Sequence, residues 1–295
     1  MVKKTYLALI LWTFGIVATS YSLDWKKLHD KSNDVSSEQA LTNAEKNIKA
    51  VEDLYVLGLV YLNEHKDSAA REVFIKIISM DPAVYEAEWG LAEVLRRNKK
   101  LDESEAILTR LIKEEPDFTP SYITLAYLKY TQTKFNQAVS LASQVIRQGK
   151  EASDLSNFTR AYLIYAGAKG MIASRGGPIS KLINGTQVLP NLKKAENLQP
   201  DSAEVLFGLG NFYFLAPHIA GGNLNKAKDY LKKAIEVDPL LIDAYVRLAQ
   251  TYRALGDKER YEYYLKKAIV MDSDNELVKD ELSGDCKFNC ATVKD

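Results

Sequence analysis

The chain has 295 residues, which is enough for two globular domains or one extended array, so length alone does not decide its architecture. Its 39 basic and 39 acidic residues balance, and no long run of like charge occurs. This charge pattern argues against a surface dedicated to nucleic acid or to anionic lipid. The partners we expect are therefore proteins, peptides or small ligands.

The N-terminal segment has the organisation of a Sec-type signal peptide. Two lysines precede an apolar stretch from Tyr6 to Ala18, and Ala18 and Ser20 then supply a small-x-small site for a signal peptidase. An uncleaved membrane anchor is the alternative, although the apolar stretch is shorter than the roughly 20 residues that span a bilayer. We expect residues 1–22 to be removed and the mature chain to be periplasmic or secreted, with no stable membrane span.

Residues 23–50 begin polar and charged, with few large apolar side chains, and become compatible with a helix from about Ser37. Such a composition does not supply enough apolar surface to order the first part by burial. We predict a mobile linker that runs into a short lead-in helix.

From Val51 to Ser273 the sequence repeats a unit of 34 residues. In the first copy, small residues stand at positions 8 and 20, large apolar residues at positions 4, 7, 11, 24 and 27, and a proline at position 32. Small residues let two helices approach closely, large ones fill the contact, and proline ends the second helix. The unit is therefore a helix hairpin, which buries its apolar face only when neighbouring copies stack on it.

The repeat frame predicts six copies followed by a capping helix. The copies cover residues 51–84, 85–118, 119–152, 159–202, 203–241 and 242–273, and the capping helix and a tail with two cysteines cover residues 274–295. The fourth copy carries about ten extra residues between its two helices, and the fifth carries about five.

Both insertions are rich in glycine and proline, and we predict that they are loops because these residues do not fit a helix interior. The insertion residues are Arg175, Gly176, Gly177 and Pro178 in the fourth copy and Pro217, His218, Gly221 and Gly222 in the fifth. Both insertions lie at the same helix-to-helix turn of adjacent copies. Our hypothesis is that together they form a lid or the rim of a pocket.

These residues resemble the tetratricopeptide repeat (TPR) family over about 220 residues, because the frame recurs in register. The resemblance implies an all-α fold, a right-handed superhelical solenoid of about six helix hairpins with a concave groove. More narrowly, Leu215 to Pro239 resembles the periplasmic TPR proteins associated with TRAP transporters, in which a Gly-Gly-polar turn precedes an Ala-rich helix. That second resemblance implies a role in transport of a small ligand.

The TPR resemblance also implies which residues line the groove, because the first helix of each repeat lines it mainly through positions 2, 5, 9, 12 and 13. The groove residues that we single out are Tyr55, Trp89, Arg96, Arg97, Tyr127, Tyr130, Phe207, Asn211, Gln250 and Arg253. Aromatic and arginine side chains dominate binding hot spots, so we predict that this set binds a protein or peptide. The alternative is that each aromatic side chain packs between neighbouring repeats. A carboxylate clamp is disfavoured, because position 5 is never lysine.

Other chemistry has little support in the sequence. Cys286 and Cys290 are close enough to close a small disulfide loop in an exported chain, with free thiols as the alternative. The three histidines lie far from them in sequence, so we predict no metal site. No hydrolase, metalloprotease or P-loop motif occurs. We therefore predict no cofactor and no enzymatic activity.

The function we predict is an exported scaffold that binds a protein or peptide in its concave groove. The alternative is a small-ligand-binding helper of a periplasmic transport system of the TRAP-associated type. Shape distinguishes the two. A continuous open groove favours the scaffold, whereas an enclosed apolar cavity near Phe207, Phe214 and the Arg175 insertion favours the ligand carrier.

Overall fold

The computed structural model describes residues 23–47, 50–284 and 287–288, and all regular structure in these ranges is helical. This confirms the predicted all-α solenoid. The predicted signal peptide with its cleavage site, and both cysteines of the predicted disulfide, lie outside the described residues. The helices are α1 (Trp25–Asp34), α2 (Ser37–Lys46), α3 (Val51–Asn63), α4 (Asp67–Met80), α5 (Tyr85–Arg97), α6 (Leu101–Glu114), α7 (Thr119–Thr131), α8 (Phe135–Gln148), α9 (Leu155–Arg175), α10 (Pro178–Gly185), α11 (Val188–Leu198), α12 (Ala203–Leu215), α13 (Leu224–Val237), α14 (Ile242–Ala254), α15 (Lys258–Met271) and α16 (Glu276–Ser283).

The array consists of helix pairs that stack in chain order. The pairs are α3–α4, α5–α6, α7–α8, α9–α11, α12–α13 and α14–α15, and each pair packs on the next. α16 closes the end of the array against α14 and α15, and Asn275 caps it by accepting hydrogen bonds from the N–H groups of Leu277 and Val278. In the part of the chain that the structure describes, no helix is both long enough and apolar enough to cross a membrane.

Phe74 shows why the repeat needs small residues. Its side chain is fully buried between α3 and α5. A Cβ atom added to Gly58 would lie 2.6 Å from the Phe74 ring, and one added to Gly90 would lie 2.4 Å from it. Both distances are below van der Waals contact, so the two glycines are what allow the ring to fill this space.

The prediction of a linker before Ser37 is wrong, because residues 25–34 form α1. Asp24 caps this helix by accepting a hydrogen bond from the Lys27 N–H, and Trp25 and Leu28 on one face are buried. Two apolar anchors suffice here because α1 packs onto the array and does not have to form a core of its own.

The prediction of a loop in the fourth copy is also wrong, because Pro178–Gly185 forms α10. Proline is tolerated at the first helical position, where its missing N–H has no intrahelical partner in any case. Gly176 and Gly177 stay outside the helix, between α9 and α10. In the fifth copy His218–Ala220 is a short 3₁₀ helix followed by Gly221 at a left-handed φ of 96°.

The ends of the array meet at two points. His65, in the turn between α3 and α4, lies 3.3 Å from the Asp238 carboxylate, which follows α13. Lys99, in the turn between α5 and α6, donates to the carbonyl oxygen of Asp274 at 2.7 Å. These contacts join the first two repeats to the last two.

Candidate partner-binding surface

The candidate site is the inner surface, which we define as the side of the first helix of each repeat that carries the predicted groove residues. These first helices are α3, α5, α7, α9, α12 and α14, and consecutive ones are in contact. The surface is not an open groove along its whole length, because α1 and the C-terminal residues lie on parts of it.

α1 covers the first part of the inner surface. Nε2 of His29 lies 2.9 Å from the Tyr55 hydroxyl, and the His29 ring centroid lies 5.1 Å from that of Trp89. Trp89 donates from Nε1 to Thr124 Oγ1 at 3.0 Å. Tyr55 is fully buried and Trp89 is 4% exposed. Neither side chain can therefore meet a partner while α1 is in place.

The same histidine ties α1 to α9. His29 Nδ1 lies 3.4 Å from Asp154 Oδ2, and Asp154 also accepts hydrogen bonds from Asn157 N and Nδ2 at 2.9 and 2.8 Å. Burial acts to raise the pKa of Asp154, but hydrogen bonds from His29 and Asn157 outweigh it and lower this pKa. Sequence reasoning missed this cluster, although the spacing of Trp25 and Leu28 on one helix face was an available signal.

An ionic cluster occupies the middle of the inner surface. Glu93 is 2% exposed and accepts hydrogen bonds from Arg96 Nη2 at 2.6 Å and from Arg97 Nε at 3.0 Å. Burial acts to raise the pKa of Glu93, but the two guanidinium groups outweigh it and hold this pKa well below its usual range. The Arg96 guanidinium also lies 4.6 Å from the centre of the Tyr127 ring. Arg97 also pairs with Asp67 at 3.1 Å, so Arg96 and Arg97, two of the three predicted groove arginines, have carboxylate partners within the chain.

The C-terminal residues cover a further part. The Phe288 ring stacks on Tyr130 with centroids 6.1 Å apart, and its carbonyl oxygen accepts a hydrogen bond from Arg247 Nη2 at 2.6 Å. The Phe288 N–H donates to Asp280 Oδ2 at 2.9 Å. Burial raises the pKa of Tyr130 to about 12, so its hydroxyl stays protonated at neutral pH.

The other predicted groove residues divide into two groups. Gln250 donates to the Glu281 carboxylate at 2.7 Å and Arg253 pairs with the same carboxylate, so α16 engages both. Phe207 is half-buried in the core, and Asn211 has a buried Oδ1 that finds no hydrogen-bond partner among the described residues. Most of the predicted set thus has partners within the chain.

An open cleft of about 460 Å³ lies beside the insertion of the fourth repeat. Its lining comes from α9, α10 and the residues between them, and from the start of α8 with the turn before it. The lining residues are Ile172, Arg175, Gly176, Ser180 and residues 133–137. The Arg175 guanidinium lies 4.7 Å from the centre of the Phe135 ring. Phe207, Phe214 and the insertion of the fifth repeat do not line this cleft.

Comparison with known structures finds proteins of the same architecture. A chain of the APC/C hetero-tetramer Cut9–Hcn1 gives a TM-score of 0.64 at 13% identity, over 88% of this chain and 47% of that one, so this chain spans about half its length. A tetratricopeptide repeat protein from Parabacteroides merdae gives 0.54 at 15% identity, over 88% and 97%. PilW, a widely conserved type IV pilus biogenesis factor, gives 0.50 at 16% identity, over 79% and 99%. At these identities the likeness concerns the fold alone.

Comparison with family profiles is more specific. Tetratricopeptide repeat profiles match residues 68–127, 218–239 and 242–275. A search of curated proteins gives no significant match. The repeat frame, the matched profiles and the stacked helix pairs agree, so the matched segments are tetratricopeptide repeats and the chain has the fold of tetratricopeptide repeat proteins.

Proposed function

We propose that this chain is an exported, non-enzymatic scaffold that binds a helical segment of a partner protein on its inner surface, and that α1 occupies this surface until the partner displaces it. The tetratricopeptide repeats support a role in protein interaction. The observation that carries the proposal is α1, because it is a helix that the inner surface already accommodates.

The contacts of α1 indicate the chemistry of a partner that fits. Trp25, Leu28 and His29 share one helix face at spacings of three and four residues and are buried on the array. The Trp25 ring meets Phe118 edge to face at 5.1 Å. Lys27, on the other face, is exposed. The partner segment is therefore an amphipathic helix with an aromatic, an aliphatic and a polar anchor, a known mode of peptide recognition.

Displacement of α1 sets the apparent affinity. A partner reaches Tyr55 and Trp89 only in the fraction of molecules from which α1 has detached, and its apparent affinity falls by that fraction. Loosening α1 should thus strengthen binding in proportion to the gain in accessible surface.

The test uses a fluorescent peptide with the sequence of residues 23–35 as the probe. The full chain with Trp25→Ala and His29→Ala should bind this peptide at least about tenfold more tightly than the wild type, because its own α1 competes less well. Fluorescence anisotropy measures the affinity. Lys27→Ala is the matched control, since Lys27 is on the same helix but exposed, and it should bind the peptide as the wild type does.

Two results would contradict the proposal. One is a double variant that keeps the wild-type helical circular dichroism yet binds no peptide. The other is equal binding by all three chains, which would mean that α1 and the peptide do not share a surface.

Export is a separate part of the proposal and rests on the charged start, apolar stretch and small-residue end of residues 1–22. Fractionation of bacterial cells that produce the full chain should recover it outside the cytoplasm at reduced mass. Full-mass protein in the cytoplasm would contradict export. The ligand-carrier alternative gains less support, because the cleft beside Arg175 is open and is not lined by Phe207 or Phe214.

A further inference from the structure

Glu86 is a buried carboxylate at the start of α5. Its side chain has no exposed surface, and its Oε2 atom has no hydrogen-bond partner among the described residues. Tyr85 and Glu115 affect the pKa of Glu86, and Glu86 in turn affects the pKa of Tyr55. None of these three titratable groups is a cation. Burial raises the pKa of Glu86, and the hydrogen bonds from its own N–H, from the Leu23 N–H and from Tyr85 do not outweigh it. A buried carboxylate that has hydrogen bonds but no cation is costly to ionise.

The main-chain nitrogen of Leu23 donates a hydrogen bond to Glu86 from outside α5. This nitrogen lies 3.1 Å from Glu86 Oε1. The Leu23 side chain is 3% exposed and packs in the core cluster that includes Trp25 and Leu28. Burial of the Leu23 side chain therefore fixes the position of the Leu23 nitrogen.

The sequence before Leu23 contains a second small-x-small site. Relative to the bond that joins Ser22 to Leu23, Ser22 is the last residue before the bond and Ser20 is the third residue before it. Signal peptidases cut after such a pair. The site formed by Ala18 and Ser20 would instead leave Tyr21 and Ser22 ahead of Leu23.

We infer that signal peptidase cuts between Ser22 and Leu23, and that Glu86 is the receptor for the α-ammonium group which this cut creates. The inference rests on the proposed export. Water adds its hydroxyl to the Ser22 carbonyl carbon and a proton to the Leu23 nitrogen as the peptide bond breaks, and a second proton from solvent makes the free amine an ammonium. The buried carboxylate then has its cation, bound through a charge-assisted hydrogen bond.

This pairing changes the role of the first helix. Before cleavage, the Leu23 nitrogen is a neutral amide with one hydrogen. After cleavage it carries a full charge and three donors, so it satisfies Glu86 and fixes the start of α1 on α5. Processing thereby strengthens the attachment of α1 to the inner surface, and only the mature chain has the complete contact.

The first test is the N-terminus of the exported protein. N-terminal sequencing of material secreted with its own first 22 residues should read Leu23 as the first residue. A first residue of Tyr21 would overturn the cleavage assignment. Retention of the full chain in the cytoplasm would count against export and against this cut, but it would leave the second test valid.

The second test does not need export. Chains that begin at Leu23 or at Tyr21 are released from a fusion by a site-specific protease, each with and without Glu86→Gln, and both contain every residue that the structure describes. The Leu23 chain should have an unfolding equilibrium constant about tenfold lower than the Tyr21 chain, and Glu86→Gln should abolish this difference. Urea denaturation at pH 7 measures both constants.

The pH profile separates charge pairing from simple packing. Burial raises the pKa of Glu86 to about 7 beside the neutral amide. The Tyr21 chain should therefore lose stability as pH rises from about 4.5 to 7, since its folded state holds the proton longer. The Leu23 chain should lack this slope, because the ammonium favours the ionised carboxylate. Equal slopes in both chains, or a stability gap that survives Glu86→Gln, would overturn the receptor role.

Discussion

The first three repeats and the last three close their inner surface with different segments of the chain. The first three receive α1, whose Trp25 and His29 reach Phe118 and Trp89. The last three use α16 and Phe288, whose carbonyl oxygen accepts a hydrogen bond from Arg247 and whose ring extends to Tyr130 of the third repeat. Both arrangements put an aromatic side chain and a polar group on the inner surface. At both ends, aromatic and polar groups of the chain itself thus cover the inner surface.

The two halves also differ in the turn that joins the two helices of a repeat. The first three repeats use polar turns with one residue in the left-handed region, namely His65, Lys99 and Thr133. The fourth and fifth carry insertions with exposed apolar residues, and Ile179 and Ile219 are 75% and 97% exposed. The sixth uses Gly256 at a φ of 82°. Regular turns thus occur in all three repeats of the half covered by α1 and in one repeat of the other half.

The largest expected effect on stability comes from truncating a buried core side chain in each half, which tests whether the two halves are equally well packed. Phe74→Ala should lower the free energy of unfolding by about 3 to 5 kcal/mol, because the ring fills the space that Gly58 and Gly90 leave. Leu231 is the corresponding residue of the fifth repeat and is packed against Gly210. Leu231→Ala should cost about 2 to 5 kcal/mol. Urea denaturation measures the free energy of unfolding of both variants. A loss below about 1 kcal/mol in one of them would mean that the half containing that residue relaxes around the cavity.

The second prediction concerns Asp154, which links the halves through His29. Asp154→Asn should lower the free energy of unfolding by about 2 kcal/mol, since a charge-assisted partner of His29 is lost. The pKa of Asp154 is lowered in the folded state, so its stabilisation is present above the ordinary aspartate pKa of about 3.9 and is lost as pH falls below it. The gap between variant and wild type should therefore close in acid, as Asp154 becomes protonated in both the folded and the unfolded state.

A matched control for this variant is Asp201→Asn, because Asp201 also precedes a first helix but is exposed. It should change stability by less than about 0.5 kcal/mol. If Asp154→Asn behaved like the control at every pH, the contact of His29 with α9 would not contribute to stability.

The sequence predicts the stacked hairpins well because their frame depends on local rules. Gly58, Phe74 and Pro82 each satisfy a requirement of one hairpin or its neighbour, so a periodic reading finds them. The glycines and the proline of the fourth repeat predict a loop in place of α10, but Gly176 and Gly177 lie before the helix and Pro178 occupies its first position, where proline is tolerated. The residues that cover the inner surface depend on contacts between distant segments. His29 meets Asp154 across more than a hundred residues, and no periodic pattern encodes that contact.

The smallest expected effect sharpens the difference between the turns. Thr133 is β-branched yet adopts a φ of 60°, a region that such residues avoid. Thr133→Gly removes the clash of its Cβ with the backbone, which is worth about 1 to 2 kcal/mol, while glycine loses more backbone entropy on folding, about 0.5 to 1 kcal/mol. We expect a net gain of about 0.5 to 1 kcal/mol in the free energy of unfolding. Gly256→Ala is the reciprocal change: its added Cβ would meet no atom within 4 Å, so the backbone alone sets its cost of about 1 kcal/mol. The midpoint of thermal unfolding should therefore rise for Thr133→Gly and fall for Gly256→Ala. A lower midpoint for Thr133→Gly would mean that contacts of the Thr133 side chain stabilise the turn by more than its backbone strain costs.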